Sequence, residues 1–260
     1  MTVPIESTLP AKLEQKKYVV AFLDFLGAKE KMKSPEESDN FLQQIKDIYY
    51  FIKKVKERAA KWEIADVEVR IFSDNIVMAR QIDNIADSEA IFRGQFSSCY
   101  SVLTFSAIFL FEALRRGLLV RGAVTIGQFV INNTFIYGDA LASAYDLENY
   151  SAIYPRVIID RALIEFIKTQ SEKEQFLVRE ICDIDFDREC FLKIFNGSFD
   201  FYPDKEKRQI IKEINANIST GLSKYISITK YRQKYMWLAT KFNGWCEANN
   251  YSDYKINFDE

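Results

Sequence analysis

Residues 18–23, Tyr-Val-Val-Ala-Phe-Leu, form an unbroken apolar run that ends on one carboxylate, Asp24, with Gly27 three positions later. The run is far too short to span a membrane and shows no polar alternation. It therefore reads as a strand in the middle of a sheet, covered on at least one face. A chain organised around such a strand needs helices to cover it, and the segments that follow supply them.

Residues 1–16 read as a loose polar arm. Ser34-Pro35-Glu36-Glu37 is a helix start, with Ser as N-cap and Pro in the first turn. The spacing of Phe41, Ile45, Ile48, Ile52, Val55 and Ala59 predicts a helix to about Lys61 with one apolar stripe. Residues 67–79 alternate apolar and polar positions around Ser73-Asp74-Asn75, which predicts a β-hairpin with Asp74 at its tip. A helix is expected over 87–116, ended by Gly117, then a strand at 118–130, a turn and a short returning strand. A helix at 139–148, a strand at 154–159 and an Asp160-capped helix at 161–169 complete the series. The order is that of an α+β, ferredoxin-like βαββαβ core, with an antiparallel sheet carrying helices on one face. Beyond residue 170 the spacing predicts a strand pair, 176–186 with 190–195, and helices near 204–225 and 231–249. The expected organisation is an arm (1–16), a catalytic domain (17–170) and an α/β extension packed on it (171–260).

With 48% hydrophobic and 15% aromatic residues, the 260-residue chain has enough apolar side chain for a large core. Its net charge of −2, with Lys and Arg spread along the length, gives no sign of a nucleic-acid or anionic-membrane surface. The N-terminal stretch has no apolar segment of the secretory kind, and the longest apolar run, residues 100–111, is too short and polar for a membrane span. The expected location is the cytosol. Cys99, Cys182, Cys190 and Cys246 form no CxxC pair and read as buried thiols.

The chain contains no histidine. That removes Ser-His-Asp and Cys-His nucleophile systems, HExxH zinc sites and imidazole acid–base chemistry. Carboxylates, Lys, Tyr and Arg remain, and a metal would be a hard, oxygen-ligated ion, Mg²⁺ or Mn²⁺. Asp24 at the end of the first strand and Asp74 at the hairpin tip can meet on one edge, because in a βαββ unit the first strand lies beside the hairpin. Two carboxylates so close raise one another's pKa unless a cation lies between them. One or two divalent ions would fit there, and Gly27 would let backbone N–H groups approach a polyphosphate. The plainer reading is also open: a Ser-Asp-Asn turn is ordinary hairpin chemistry, and an Asp after a strand is often a cap.

Four segments, in order, resemble the catalytic domain of the class III nucleotide cyclases. Phe22-Leu23-Asp24-Phe25-Leu26-Gly27 resembles the first metal-binding motif, and Arg70-Ile71-Phe72-Ser73-Asp74 the second. The stretch 121–127, Arg-Gly-Ala-Val-Thr-Ile-Gly, resembles the family's Gly-containing strand. Tyr137-Gly138-Asp139-Ala140 through Leu147-Glu148, closed by Pro155-Arg156-Val157-Ile158, resembles its signature helix and following strand. Two departures stand out. Ala142 and Asp146 replace the family's Asn and transition-state Arg, and Phe135 stands at the adenine-selecting position, where it cannot hydrogen-bond a base, so the family's usual polar pair for purine selection is not complete. The wording of these segments is most similar to the bacterial Pycsar pyrimidine cyclases.

The resemblance implies conversion of UTP or CTP to the 3′,5′-cyclic monophosphate and pyrophosphate, a messenger of antiphage defence that activates a separate effector. It implies two Mn²⁺ or Mg²⁺ ions held by Asp24, the Phe25 carbonyl and Asp74. Arg70 and Arg121 are candidates for the transition-state charge, or else a surface charge or a structural ion pair, and Arg70, at the family's basic base-contact position, is also a candidate contact to the base or triphosphate. The expected nucleotide-binding positions are Phe25, Leu26, Gly27, Tyr50 and Phe135, although Tyr50 also reads simply as exposed. The aromatic stripe 231–245 reads as core or dimer packing. The resemblance further implies a head-to-tail homodimer with active sites between the subunits. A purine cyclase and a non-catalytic nucleotide-sensing module with the same fold are the alternatives.

Overall fold

The apolar run forms β1 (Lys16–Phe25), and its residues Val19 to Leu23 are almost wholly buried. The computed structural model describes residues 14–59, 67–82, 95–196 and 198–258. After β1 come the single turn α1 (Ala28–Lys31) and the long helix α2 (Pro35–Ala59). The hairpin is β2 (Glu68–Phe72) and β3 (Asn75–Gln81), followed by α3 (Gln95–Arg115) and β4 (Val120–Ile131). Residues 60–61 and 87–94, where helix was also expected, lie outside the described residues.

In the sheet, β1 lies between β3 and β4 and is antiparallel to both, with β2 beyond β3. That order, β2-β3-β1-β4, is the ferredoxin-like arrangement expected from the sequence. The short β5 (Ile136–Tyr137) returns on β4, then α4 (Asp139–Tyr150) leads to β6 (Val157–Ile159), which pairs parallel with β4. Next come α5 (Arg161–Lys168), α6 (Glu172–Ile181), β7 (Cys182–Ile184) and β8 (Cys190–Leu192). Strands β8 and β7 add to the sheet beyond β6, so the C-terminal strand pair continues the core sheet. The helices α7 (Asp204–Lys224) and α8 (Thr229–Ala248) follow.

Two expectations need correction. The segment beginning at residue 176 is helical up to Ile181. Ser171 and Glu174 form a capping box, each side chain bonding the other's backbone N–H, and this starts α6 before the alternating stretch begins. Helices also occupy both faces of the sheet rather than one. The main core lies on the face covered by α2 and α3, where Phe25 packs edge-on against Phe41 of α2. The opposite face carries α4 over a smaller cluster of Val20, Phe22, Val77 and Phe129 with Ala140 and Ala144.

Helix α3 is apolar enough to cross a membrane by length and composition, yet 89% of that stretch is buried inside the fold. Each buried Phe or Leu there contributes about 1.5–3 kcal/mol relative to exposure, which explains its apolar character without a bilayer. Its C-terminus is closed by Gly117 at φ +72° and by Asn217 of α7, whose Nδ2 donates to the carbonyls of Leu114 (3.1 Å) and Arg115 (2.8 Å). The four cysteines are free thiols.

Candidate active site

The antiparallel register sets Asp24 of β1 opposite Asn75 of β3 on one side and Arg121 of β4 on the other. Asp74 occupies the two-residue turn between β2 and β3, and the Phe25 N–H donates to its backbone carbonyl at 3.2 Å. The two carboxylates, fifty positions apart in sequence, thus share one edge. Ser73, beside Asp74, holds φ +56°, a left-handed conformation rare for a residue with a side chain. The strained turn faces the site rather than the remote end of the hairpin.

Alternation places Asp24 on the α4 face with Phe22, not on the face that α2 and α3 cover. Arg121 Nε donates to Asp24 Oδ2 at 3.4 Å and forms an ion pair with Glu148 of α4. Loss of water raises the Asp24 pKa, Arg121 opposes that, and the charge of Asp74 adds to the rise. Burial also lifts Glu148, to about 7, against the pull of Arg121 and with a push from Asp24. On α8, Lys234 donates to the Ile153 carbonyl, and burial lowers its pKa to about 8, helped by Arg121 and Lys230. An Asp, an Arg, a Glu and a Lys from four elements therefore meet at one end of the sheet.

Phe25 follows Asp24 with its ring in the core, so only its backbone can face the site. The Leu26 N–H, expected in the loop that faces a polyphosphate, is already bonded to the Leu119 carbonyl at 2.8 Å. Gly27 turns the chain at φ +78°, and a Cβ added there would meet nothing within 4 Å. Arg70 lies on the same face as Asp24, two register pairs in from the tip, with its guanidinium on Glu68 Oε2 at 2.9 Å. Tyr50 is half exposed on α2, the helix covering the other face, nine residues or about 14 Å along the axis from Phe41, which packs on Phe25. Phe135 is half exposed beyond the far end of β4, ten residues or about 30 Å of strand past Arg121. By this spacing both lie away from the carboxylates of their own chain. Ala142 and Asp146 face outward on α4.

Sequence reasoning missed Glu148 and Lys234. Glu148 had a signal: it continues the buried stripe Ala140, Ala144 at helical spacing, so a charge falls where the pattern asks for an apolar residue.

The donors suit a hard divalent ion. Among the described residues no group of three or more carboxylates or thiols converges at ligand distance. Two carboxylates with a backbone carbonyl, completed by water or phosphate oxygens, are the usual set for Mg²⁺. The mutual rise that Asp74 imposes on Asp24 is the cost such an ion would remove.

No protein-family model matches the sequence, and no curated protein is similar enough to match. Among solved structures the chain is similar to the adenylyl cyclase CyaB from P. aeruginosa. The identity is 14% over 68% of this chain and 92% of that one, with a TM-score of 0.41. It is also similar to the monomeric guanylyl cyclase domain of the RhoGC fusion protein from the aquatic fungus Blastocladiella emersonii, at 13% identity over 69% and 98% of the chains and a TM-score of 0.43. A bacterial light-regulated adenylyl cyclase gives 12% identity, 80% and 59% coverage, and a TM-score of 0.41. Likenesses this distant assign no activity.

Proposed function

We propose that this protein is a nucleotide cyclase that joins the ribose 3′-oxygen of a nucleoside triphosphate to its own α-phosphorus, releasing pyrophosphate. The observation that carries this reading is the meeting of Asp24 and Asp74 at one sheet edge with Arg121 beside them. Asp24, Asp74 and the Phe25 carbonyl would hold two Mn²⁺ or Mg²⁺ ions. Bound there, the ions would neutralise the triphosphate and acidify the 3′-hydroxyl, chemistry suited to a chain without histidine. Arg121, bonded to Asp24, would meet the charge that develops on the transferred phosphorus, and Arg70 is a further cation on that face. The partly buried edge would limit water around a group reacting there.

The proposed substrate is a pyrimidine nucleotide, UTP or CTP, with Phe135 and Tyr50 as base-contacting side chains. Since both lie far from the carboxylates of their own chain, the reading requires a head-to-tail homodimer in which one subunit supplies the carboxylates and its partner the base contacts. The product would act in the cytosol as an antiphage signal through a separate effector, with no role for nucleic acid or membrane. The second reading, a nucleotide sensor without turnover, is favoured by Ala142 and Asp146, which cannot stabilise a transition state as an Asn and an Arg would. A purine cyclase is disfavoured by the apolar Phe135.

Incubation with each of the four nucleoside triphosphates and Mn²⁺ decides among them. Cyclic UMP or cyclic CMP, lost in Asp24→Ala, is the expected result. Cyclic AMP or GMP would make the enzyme a purine cyclase. Binding with no cyclic product from any substrate would leave the sensor.

A further inference from the structure

Arg121 faces two carboxylates with one Nε–H. Its hydrogen bond goes to Asp24 Oδ2 at 3.4 Å, a long contact, while Glu148 Oε1 lies against the same nitrogen as an ion pair. Glu148 is 2% exposed, and its buried Oε1, although nearer the Arg121 nitrogen than Asp24 Oδ2 is, lies off the line of that N–H and accepts no well-aligned hydrogen bond. A buried carboxylate oxygen left without a donor is unfavourable and gains from any movement that brings one. The nearest donor is the Arg121 Nε–H, now turned toward Asp24. Lys234 holds the Ile153 carbonyl, so it adds positive charge nearby without satisfying Oε1.

We infer that Glu148 is a positioning residue that receives Arg121 when a divalent cation takes Asp24. A cation on Asp24 repels the guanidinium and competes for the oxygen that it bonds. With Glu148 waiting on the same Nε, a small rotation exchanges a long bond for one that satisfies a buried oxygen. Asp24 is released to the metal, and the guanidinium remains at the site, aimed by α4. Without Glu148, Arg121 has no second anchor and stays on Asp24 as a competitor of the metal. The inference rests on the reading of Asp24 as a metal ligand. It adds that the affinity for the ion depends on a helix residue that never touches it.

The test is Mn²⁺ binding to nucleotide-free protein at pH 8, where Glu148 is ionised, followed by the electron paramagnetic resonance signal of free Mn²⁺. Wild type, Asp24→Asn, Glu148→Gln and Glu148→Asp are compared, the two Glu148 changes also in an Arg121→Ala background. Glu148→Gln is expected to weaken Mn²⁺ about tenfold, and Glu148→Asp, which keeps the charge one methylene short, by less. In the Arg121→Ala background both changes should alter binding by less than about twofold, because the competitor is gone. Undiminished affinity in Glu148→Gln overturns the inference. So does a loss that persists in full without Arg121, since Glu148 would then act on the ion or the fold directly. Should Glu148→Gln fail to fold, the Glu148→Asp pair gives the same comparison. Wild type that binds no Mn²⁺, or binds it equally well as Asp24→Asn, overturns the metal reading itself.

Discussion

Asp24 enters the end of a buried strand, loses water and faces the charge of Asp74, and the nearby Arg121 does not fully offset this. The ionised carboxylate is therefore disfavoured in the metal-free fold, as expected of a group placed for a ligand rather than for stability. Asp24→Asn should raise the thermal midpoint in EDTA, by the equivalent of about 1 kcal/mol, while abolishing turnover. Saturating Mn²⁺ should reverse the order, since only wild type gains from binding the ion; two melting curves per protein check this. Glu148 permits a pH test. Folded, it holds its proton up to about pH 7, whereas the ordinary value is 4.5. Folding thus favours the protonated acid, so this stability is full below about pH 4.5 and is lost as pH rises through 7. The loss amounts to up to about 3 kcal/mol. In EDTA, Glu148→Gln should show a flatter decline in urea midpoint between pH 5 and 8 than wild type. Parallel declines would mean that the carboxyl is not held protonated.

The elements that carry the site are positioned by close backbone approach as much as by side-chain packing. A Cβ on Gly122 would lie 2.2 Å from the Phe22 carbonyl oxygen and 2.7 Å from Leu23 Cδ2, so β4 can sit against β1 at that level only with glycine. One residue away is the Asp24–Arg121 pair. Gly122→Ala should force the two strands apart, costing about 1–3 kcal/mol in urea denaturation and most of the turnover. Gly27→Ala meets open space and pays only for its left-handed backbone, roughly 1 kcal/mol. Most strands and helices were legible because their periods are clean: the run 18–23, the stripe from Phe41 to Val55, the hairpin around Ser73-Asp74. The two carboxylates were legible for the same reason, as charges interrupting apolar patterns at element ends. Helix α6 was not, because Phe176, Val178 and Ile181 also fit an extended reading, and the Ser171–Glu174 box that decides it stands five residues earlier. Lys234 was hidden because burial of a charge depends on partners from other elements, here the loop at Ile153, which no local pattern reveals; the spacing of Ala140 and Ala144 marks Glu148 as buried but not its partner on β4.

At the scale of the molecule, the C-terminal segment is bound to the core by buried charge. Arg156, fully buried after α4, pairs with Asp185 and Asp187 between β7 and β8, and Asp185 also accepts from Trp237 Nε1 at 2.7 Å and pairs with Lys241 at 2.9 Å. Breaking such a pair by removing one partner costs about 3–5 kcal/mol, so α8 and its Lys234 are held firmly against the site. Among the described residues Phe135 and Tyr50, the base-contacting side chains proposed above, lie away from Asp24 of their own chain. A head-to-tail dimer would bring those of the partner subunit to it, and its two-fold symmetry makes a sharp numerical claim. Let Asp24→Ala remove the carboxylate and Phe135→Ala weaken base binding, each assayed below the wild-type KM. Each homodimer then has two damaged sites and should be nearly silent. In a heterodimer both lesions fall on one site, and the other takes Asp24 from one chain and Phe135 from its partner, both intact. If the chains exchange at random, half the dimers are mixed and half their sites are whole, so co-expressed variants should recover about a quarter of wild-type activity. If base and metal were instead held by a single chain, each site would keep one lesion, and mixing would recover nothing beyond the average of the two variants.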